Sequence, residues 1–443
     1  MRHTKFALAL LAAAALTACG GTGSEGGDQT HAIKFSQQVS FGDSLSDVGT
    51  YAVGAIAAAG GGKFTINGNN TAANAAYTGL NWTEVLAAEL KLPAPCAAQT
   101  GLQGADNANP ALDYNVPIVN YAGCFNYAQG GARVTNPVGA GYPVEMTVPV
   151  VTQIQSHLAK AGGKFSGTEL VTVMAGGNDV LVQLGELSAN ATAAGTAAGQ
   201  KAFPTLLIGG LAALTTNPAT AAQAIGLAVQ TEAAKGSGQT AIATAAVMTA
   251  ISLGAQPIPA QAAAAKAGTD AQAAGAKAGA DYAAQQGPIM VAAMGKAGAE
   301  LAGLVKTQLV AKGANYVVVN NLPDVANTPS GKAQSADIQG LIKTMVDTFN
   351  SQLQAGVAND PKILYVDLFS VSRDQVTNPA IYGLTNTSVP ACTTASSLTC
   401  TSKTLSGPDV SHYMFADAVH PTPYVNWLVA RYVAKDMAIK GWL

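Results

Sequence analysis

The sequence predicts an α/β fold with a mainly parallel sheet covered by helices on both faces, and three observations predict it. Short β-branched or apolar runs recur at Val39–Phe41, Leu170–Met174, Ala314–Asn320 and Ile363–Leu368. Segments of helical periodicity alternate with them, at Asn81–Leu90, Pro149–Leu158, Ile338–Gln354 and Tyr424–Ile439. Turns bearing glycine or asparagine follow the strand-like runs, at Gly130-Gly131, Gly176-Gly177-Asn178 and Asn321. Alternating strands and helices imply crossover connections, which bury the sheet on both sides. In such sheets sites form at the carboxyl ends of the strands, where these turns would converge.

The leading segment is read separately. Arg2, His3 and Lys5 precede an apolar stretch, Phe6–Leu16, too short to span a membrane in a mature chain. Leu16-Thr17-Ala18-Cys19-Gly20 resembles a bacterial lipobox, in which cleavage precedes the cysteine and the thiol takes a lipid. Residues 1–18 then form a signal peptide and 19–33 a flexible tether, with Cys19 as the lipidation candidate. The alternative is an ordinary cleaved signal with an incidental Cys19. The lipobox reading implies an exported bacterial lipoprotein of the outer membrane, facing the periplasm or the cell surface and attached through its lipid. No later stretch reads as a membrane span.

Residues 34–443 form the main domain. Val39–Phe41 runs into a small turn carrying Ser44, with a Ser/Asp-rich helix start expected next. Residues 60–74 are Gly/Asn-rich and read as a surface loop; residues 91–118 are Pro/Asn/Gly-rich and read likewise. Asn120–Arg133 reads as an edge strand entering a glycine turn. From 184 to 300 alanine and glycine dominate, which predicts an insertion of mostly helices interrupted by Gly and Pro. It is expected to cap the site, a structural elaboration away from the site being the alternative. Leu301–Lys312 continues helically into the next strand.

A net charge of −2 and a charged fraction of 11% offer nothing to a nucleic acid. Setting aside Cys19 leaves Cys96, Cys124, Cys392 and Cys400, an even number in a chain read as exported. Close spacing favours Cys392–Cys400 and then Cys96–Cys124 among the three possible pairings. No Cys-x-x-Cys is present, and no histidine lies close to either pair, so zinc is not expected.

Histidine is scarce, and that narrows the chemistry. Of five, His3 lies in the leader, His31 in the tether and His157 on a predicted helix, leaving His412 and His420 as candidate bases. Asp417 precedes His420 by three residues, a spacing that lets a carboxylate hold Nδ1–H while Nε2 faces a serine. A lone Asp-x-x-His is equally a solvated helix-entry loop, and a lone Gly-Asp-Ser is equally a helix cap. Oxyanion donors are available in the Ser44 N–H, the Gly131 N–H and the Asn178 amide.

Together, Phe41–Asp47, Asn126–Ala132, Gly176–Asp179 and Asp417–Pro421 stand in the order of the four blocks of the SGNH/GDSL hydrolases, which the chain resembles from about residue 40 onward. Asn321-Leu322-Pro323-Asp324 is similar to a further block of the bacterial lipase/esterase branch. The resemblance implies a flavodoxin-like three-layer α/β/α domain and a serine hydrolase of carboxylic esters without metal or cofactor. It implies Ser44 as nucleophile, His420 as base and Asp417 as its orienting acid. Ser44, Gly131 and Asn178 would form the oxyanion hole, with Gly130 as the neighbour alternative to Gly131. Asp43 and Asp179 fit as structural members of their blocks. The long insertion departs from the pattern. A phospholipase or lipid acyltransferase, a carbohydrate deacetylase and an anchored binding protein are the rival readings. Gly-x-Ser-x-Gly and His-Glu-x-x-His are both absent, against a standard α/β-hydrolase and a zincin.

Overall fold

The structure, a computed structural model, describes residues 33–68, 79–104, 114–142 and 144–443. The predicted signal peptide, Cys19, all but the last residue of the tether and part of the 60–74 loop lie outside the described residues. Four parallel strands form the central sheet: β1 (Gln38–Gly42), β4 (Leu170–Met174), β5 (Tyr316–Asn320) and β6 (Ile363–Val366), in that spatial order. Val39 stands opposite Val171, and Val171 opposite Val317, so equivalent side chains align in rows across the sheet.

Each strand sends alternate residues to opposite layers. Val39, Phe41, Val173 and Val319 share a core with Ile154 of α3 (Val150–Lys160), Leu301 of α7 (Pro257–Leu304) and Phe349 of α9 (Ala336–Val357), which follows the short α8 (Pro329–Lys332). Met174, Val318 and Val366 meet Trp82 of α2 (Trp82–Glu89) and Val433 of α11 (Pro423–Ile439) on the other side. The three layers are thus present. Phe41 and Trp82 are almost wholly buried, and side chains of that kind each contribute about 1.5–3 kcal/mol. Asn81 caps α2 through Thr83 and Glu84 N–H groups, and Glu84 returns a bond to the Asn81 N–H.

The predicted edge strand is reduced to a short ladder beside β1. Ser40 N–H donates to Phe125 O, and Tyr127 N–H donates to Ser40 O. Counting this segment, the strand order by sequence becomes 2-1-3-4-5, the flavodoxin-like arrangement, with its switch point between β1 and β4. The 91–118 region, read as a loop, contains an antiparallel hairpin of β2 (Gln99–Gly104) and β3 (Tyr114–Asn120). Its register shifts between Thr100 and Leu102, so no clean alternation marks it in the sequence. The Cys96–Cys124 disulfide closes its base, and Cys392–Cys400 closes a short loop further on. Both preferred pairings are present.

Other boundaries also move. No helix follows Ser44 directly; residues 44–46 make a turn, and a short helix, α1 (Gly54–Ala58), comes later. Strand β6 stops at Val366, because Asp367 caps α10 (Leu368–Thr377), a helix absent from the sequence reading, through the Ser370 N–H.

The insertion, 184–300, lies in α4 (Gly177–Ala212), α5 (Pro218–Ala234), α6 (Gln239–Ser252) and α7. Contrary to expectation, α4 runs through Pro204 and α7 through Pro288. Several of its glycines are contact points instead of interruptions. A Cβ on Gly195 would lie 2.8 Å from Gly275 O, and one on Gly275 would lie 2.7 Å from Gly195 O. The bases of α4 and α7 belong to the sheet's core through Leu187, Met290 and Met294. Their far ends form a separate core with α5 and α6 around Leu207, Leu211 and Ile225. Residues 257–312 are long and apolar enough to cross a membrane, unlike the sequence expectation, yet Met294 and Leu301 within them are wholly buried in the sheet's core.

Beneath β1 lies His157, 1% exposed and enclosed by Phe41, Phe125, Tyr127 and Phe165. Burial pushes its pKa down to about 4, with Glu169 opposing the shift and Lys160 adding to it. A depressed histidine contributes stability that is complete above about 6.5 and is lost as pH falls towards 4. Wild type is therefore expected to lose about 1.4 kcal/mol per pH unit in that window relative to His157→Phe. Thermal melts of both proteins between those pH values check this; parallel curves would refute it.

Candidate active site

The site assembles at the switch point between β1 and β4. Ser44 leaves β1 on a turn in which Asp43 accepts from the Leu45 and Ser46 N–H groups, through its side chain and its carbonyl respectively. Gln153, reaching from α3, accepts from the Gly42 N–H at 2.8 Å and donates to Gly42 O at 2.8 Å, which fixes the end of β1. Asn126 donates to Ser46 O, and Trp82 Nε1 donates to Ser46 Oγ.

His420 Nε2 lies 2.9 Å from Ser44 Oγ. Its Nδ1 lies 2.8 Å from Asp417 Oδ2 and 2.9 Å from Oδ1. Asp417 is 3% exposed and also accepts from the backbone N–H groups of Ser397, Val419 and His420. Burial would raise its pKa, but the His420 charge and these hydrogen bonds outweigh it and hold the carboxyl well below the usual range. The Cys392–Cys400 disulfide closes the loop that carries Ser397, so this staple bears on the site directly. Phe64 packs on the His420 ring at 4.9 Å. His412, the other candidate base, stacks on Tyr424 instead.

The donors converge as well. Ser44, Gly131, Asn178 and His420 line one cavity of about 850 Å3. Gly131 has φ +83°, a conformation that favours glycine, and a Cβ there would lie 2.9 Å from Tyr142 Cε2. The Gly130 N–H donates to Asp47 Oδ2, whereas no partner takes the N–H of Gly131 or Ser44 among the described residues. That distinguishes the two glycines. Asn178, in the first turn of α4, donates one amide hydrogen to Ala132 O at 2.8 Å and has a second to offer.

Neighbouring acids hold these loops in place. Asp179 pairs with Arg133 at 2.9 Å and accepts from the Val134 N–H, tying α4 to the Gly131 turn. Asp47 accepts from Gly49, Thr50 and Gly130. Burial pushes the Asp43 carboxyl up to about 7, against the Leu45 N–H and the His420 charge. Gln153, Ser397 and Phe64 were not singled out in the sequence. For Gln153 a signal existed, a lone amide on the apolar face of α3.

From the insertion, only Gly185 and Glu186, in the base of α4, line the two cavities that hold Ser44; Leu181 and Val182 line them from the same helix just ahead of it. The far helices contribute none of their walls. The insertion therefore borders the site at its base and is otherwise an elaboration, not the full cap expected.

A parallel three-layer sheet with Ser–His–Asp contact at its switch point fits an SGNH hydrolase fold carrying a long helical insertion. Comparison with known proteins agrees. Residues 276–433 match the family model described as GDSL-like Lipase/Acylhydrolase, a stretch that holds β5, β6, Asp417 and His420 but not Ser44, Gly131 or Asn178. One Arabidopsis thaliana protein named a GDSL esterase/lipase is 30% identical over 136 residues, covering 28% of this chain and 35% of the relative. A second of the same description and organism is 29% identical over 131 residues, covering 27% of this chain and 36% of the relative. The chain thus spans about a third of the length of the curated relatives it matches. These similarities are to GDSL-like lipase/acylhydrolase sequences, and each covers less than half of this chain.

Proposed function

We propose that this chain is a serine hydrolase that cleaves carboxylic esters of apolar acyl groups through an acyl-enzyme. The observation that carries the reading is the unbroken contact from Asp417 through His420 to Ser44, opening on a cavity shared with Gly131 and Asn178. His420 Nε2 takes the Ser44 proton as Oγ bonds to the carbonyl carbon. The displaced electron pair moves onto the carbonyl oxygen, which the N–H groups of Ser44 and Gly131 and the Asn178 amide receive. Collapse expels the alcohol, protonated by His420. Water, deprotonated by the same imidazole, then releases the acid and restores Ser44.

Two cavities divide the substrate. The wide one admits water and lets an alcohol depart. A narrower one of about 120 Å3 also opens on Ser44, Asn178 and His420, with Met174, Leu322, Val371, Val376 and Phe415 among its walls. The acyl group, which stays attached while the alcohol leaves, fits the narrow apolar side. An apolar acyl wall favours this reading over a carbohydrate deacetylase, whose pocket would be polar. The two disulfides fit an oxidising compartment and so an exported chain, and the lipobox-like Leu16–Gly20 supports its attachment through Cys19.

The test is a panel of p-nitrophenyl acyl esters, followed by inactivation with a fluorophosphonate and mass spectrometry of the digest. Turnover of short esters, lost in step with one phosphonyl group on the Ser44 peptide, is the expected result. Absence of turnover, or labelling elsewhere, would overturn the reading.

A further inference from the structure

The narrow cavity has one feature that an ordinary alkyl chain does not satisfy. Gln375, on α10, lines it and is 2% exposed, yet no described residue hydrogen-bonds its side-chain amide. Its polar neighbours on the same walls are engaged. Ser372 Oγ accepts from the Asp324 N–H and donates to Phe369 O. Thr328 Oγ1 accepts from the Gly331 N–H and donates to Val325 O. Asp324 accepts from Asn327 through Oδ2. With no partner among the described residues, the amide reaches the accessible space of the cavity, where a ligand can donate to it and accept from it.

We propose that the preferred substrates are esters of short acyl groups bearing a hydroxyl on the chain, and that Gln375 recognises that hydroxyl. The proposal rests on the esterase reading and deepens it. An amide can donate to and accept from a hydroxyl at once, which a hydrocarbon surface cannot do. At about 120 Å3 this cavity is much smaller than the wide one of about 850 Å3, which favours short acyl groups. Met174, Leu322 and Val371 shield that contact from bulk water, so discrimination is larger than on an open surface.

The experiment compares kcat/KM for ethyl hexanoate and for its isomers hydroxylated at the third or at the terminal carbon, in wild type, Gln375→Leu and Gln375→Met. Wild type is expected to favour one hydroxylated isomer over the parent by about tenfold or more, and in both variants the ratio of kcat/KM between that isomer and the parent is expected to fall to one or below. Wild type preferring the parent over both isomers would overturn the proposal. An unchanged ratio in either active variant would do the same, leaving Gln375 as a holder of water. Failure of wild type to cleave any ester takes down the esterase reading and this proposal with it, whereas a flat ratio takes down this proposal alone.

Discussion

Ser44→Ala is expected to lower ester turnover by about a millionfold while leaving the fold intact. The change removes one hydroxyl from a side chain that is 8% exposed, and the neighbouring turn is held by other groups. Asp43 still accepts from Leu45 and Ser46, Gln153 still brackets Gly42, and Trp82 bonds Ser46 instead of Ser44. What disappears is the atom 2.9 Å from His420 Nε2 that would form the acyl-enzyme. The donors of the oxyanion hole survive, so residual activity of about 10³–10⁴ over water is the floor. Steady-state rates with p-nitrophenyl butyrate, beside circular dichroism of both proteins, measure this. A folded variant retaining a tenth of the wild-type rate would place the nucleophile elsewhere.

Much of this site was legible because its chemistry is carried by scarce residues in short, ordered blocks. With only five histidines, two of them in leading segments, Asp417–His420 stood out, and the Gly-Asp-Ser turn supplied its counterpart. The sheet was legible for a related reason: strands buried on both faces read as unbroken β-branched runs. What escaped the sequence depends on contacts across long separations. Ser397 reaches Asp417 from a loop closed by Cys392–Cys400, and nothing local to Ser397 marks it. The choice between Gly130 and Gly131 depends on which N–H Asp47 takes, 83 residues away. Likewise Gly195 and Gly275 look like helix breakers until the two helices are seen to meet there. The β2–β3 hairpin is masked by its register shift, and Gln375 by a helix whose polar and apolar residues mix.

The second large effect is expected at Asp417, where charge and geometry act together. In wild type the carboxylate accepts from His420 Nδ1 with both oxygens in reach, so the imidazole carries its proton on Nδ1 and presents a bare Nε2 to Ser44. Asp417→Asn keeps the shape but offers one oxygen and one NH2 group. Three backbone N–H groups, from Ser397, Val419 and His420, compete for that oxygen. The NH2 group then turns to the imidazole, which must accept through Nδ1 and move its proton to Nε2. In that tautomer it cannot take the Ser44 proton, and kcat is expected to fall by about 10⁴ at neutral pH. Because the folded Asp417 pKa is depressed, its stabilising contribution is present above about 3.8 and is lost only as pH falls further. The carboxylate is therefore fully charged throughout any neutral assay, and the loss in the variant is one of tautomer, not of titration. Phosphonylation of Ser44 should slow in parallel with turnover, since both need the same proton transfer, while the melting temperature drops only modestly. Equal rates in the two proteins would remove Asp417 from the mechanism.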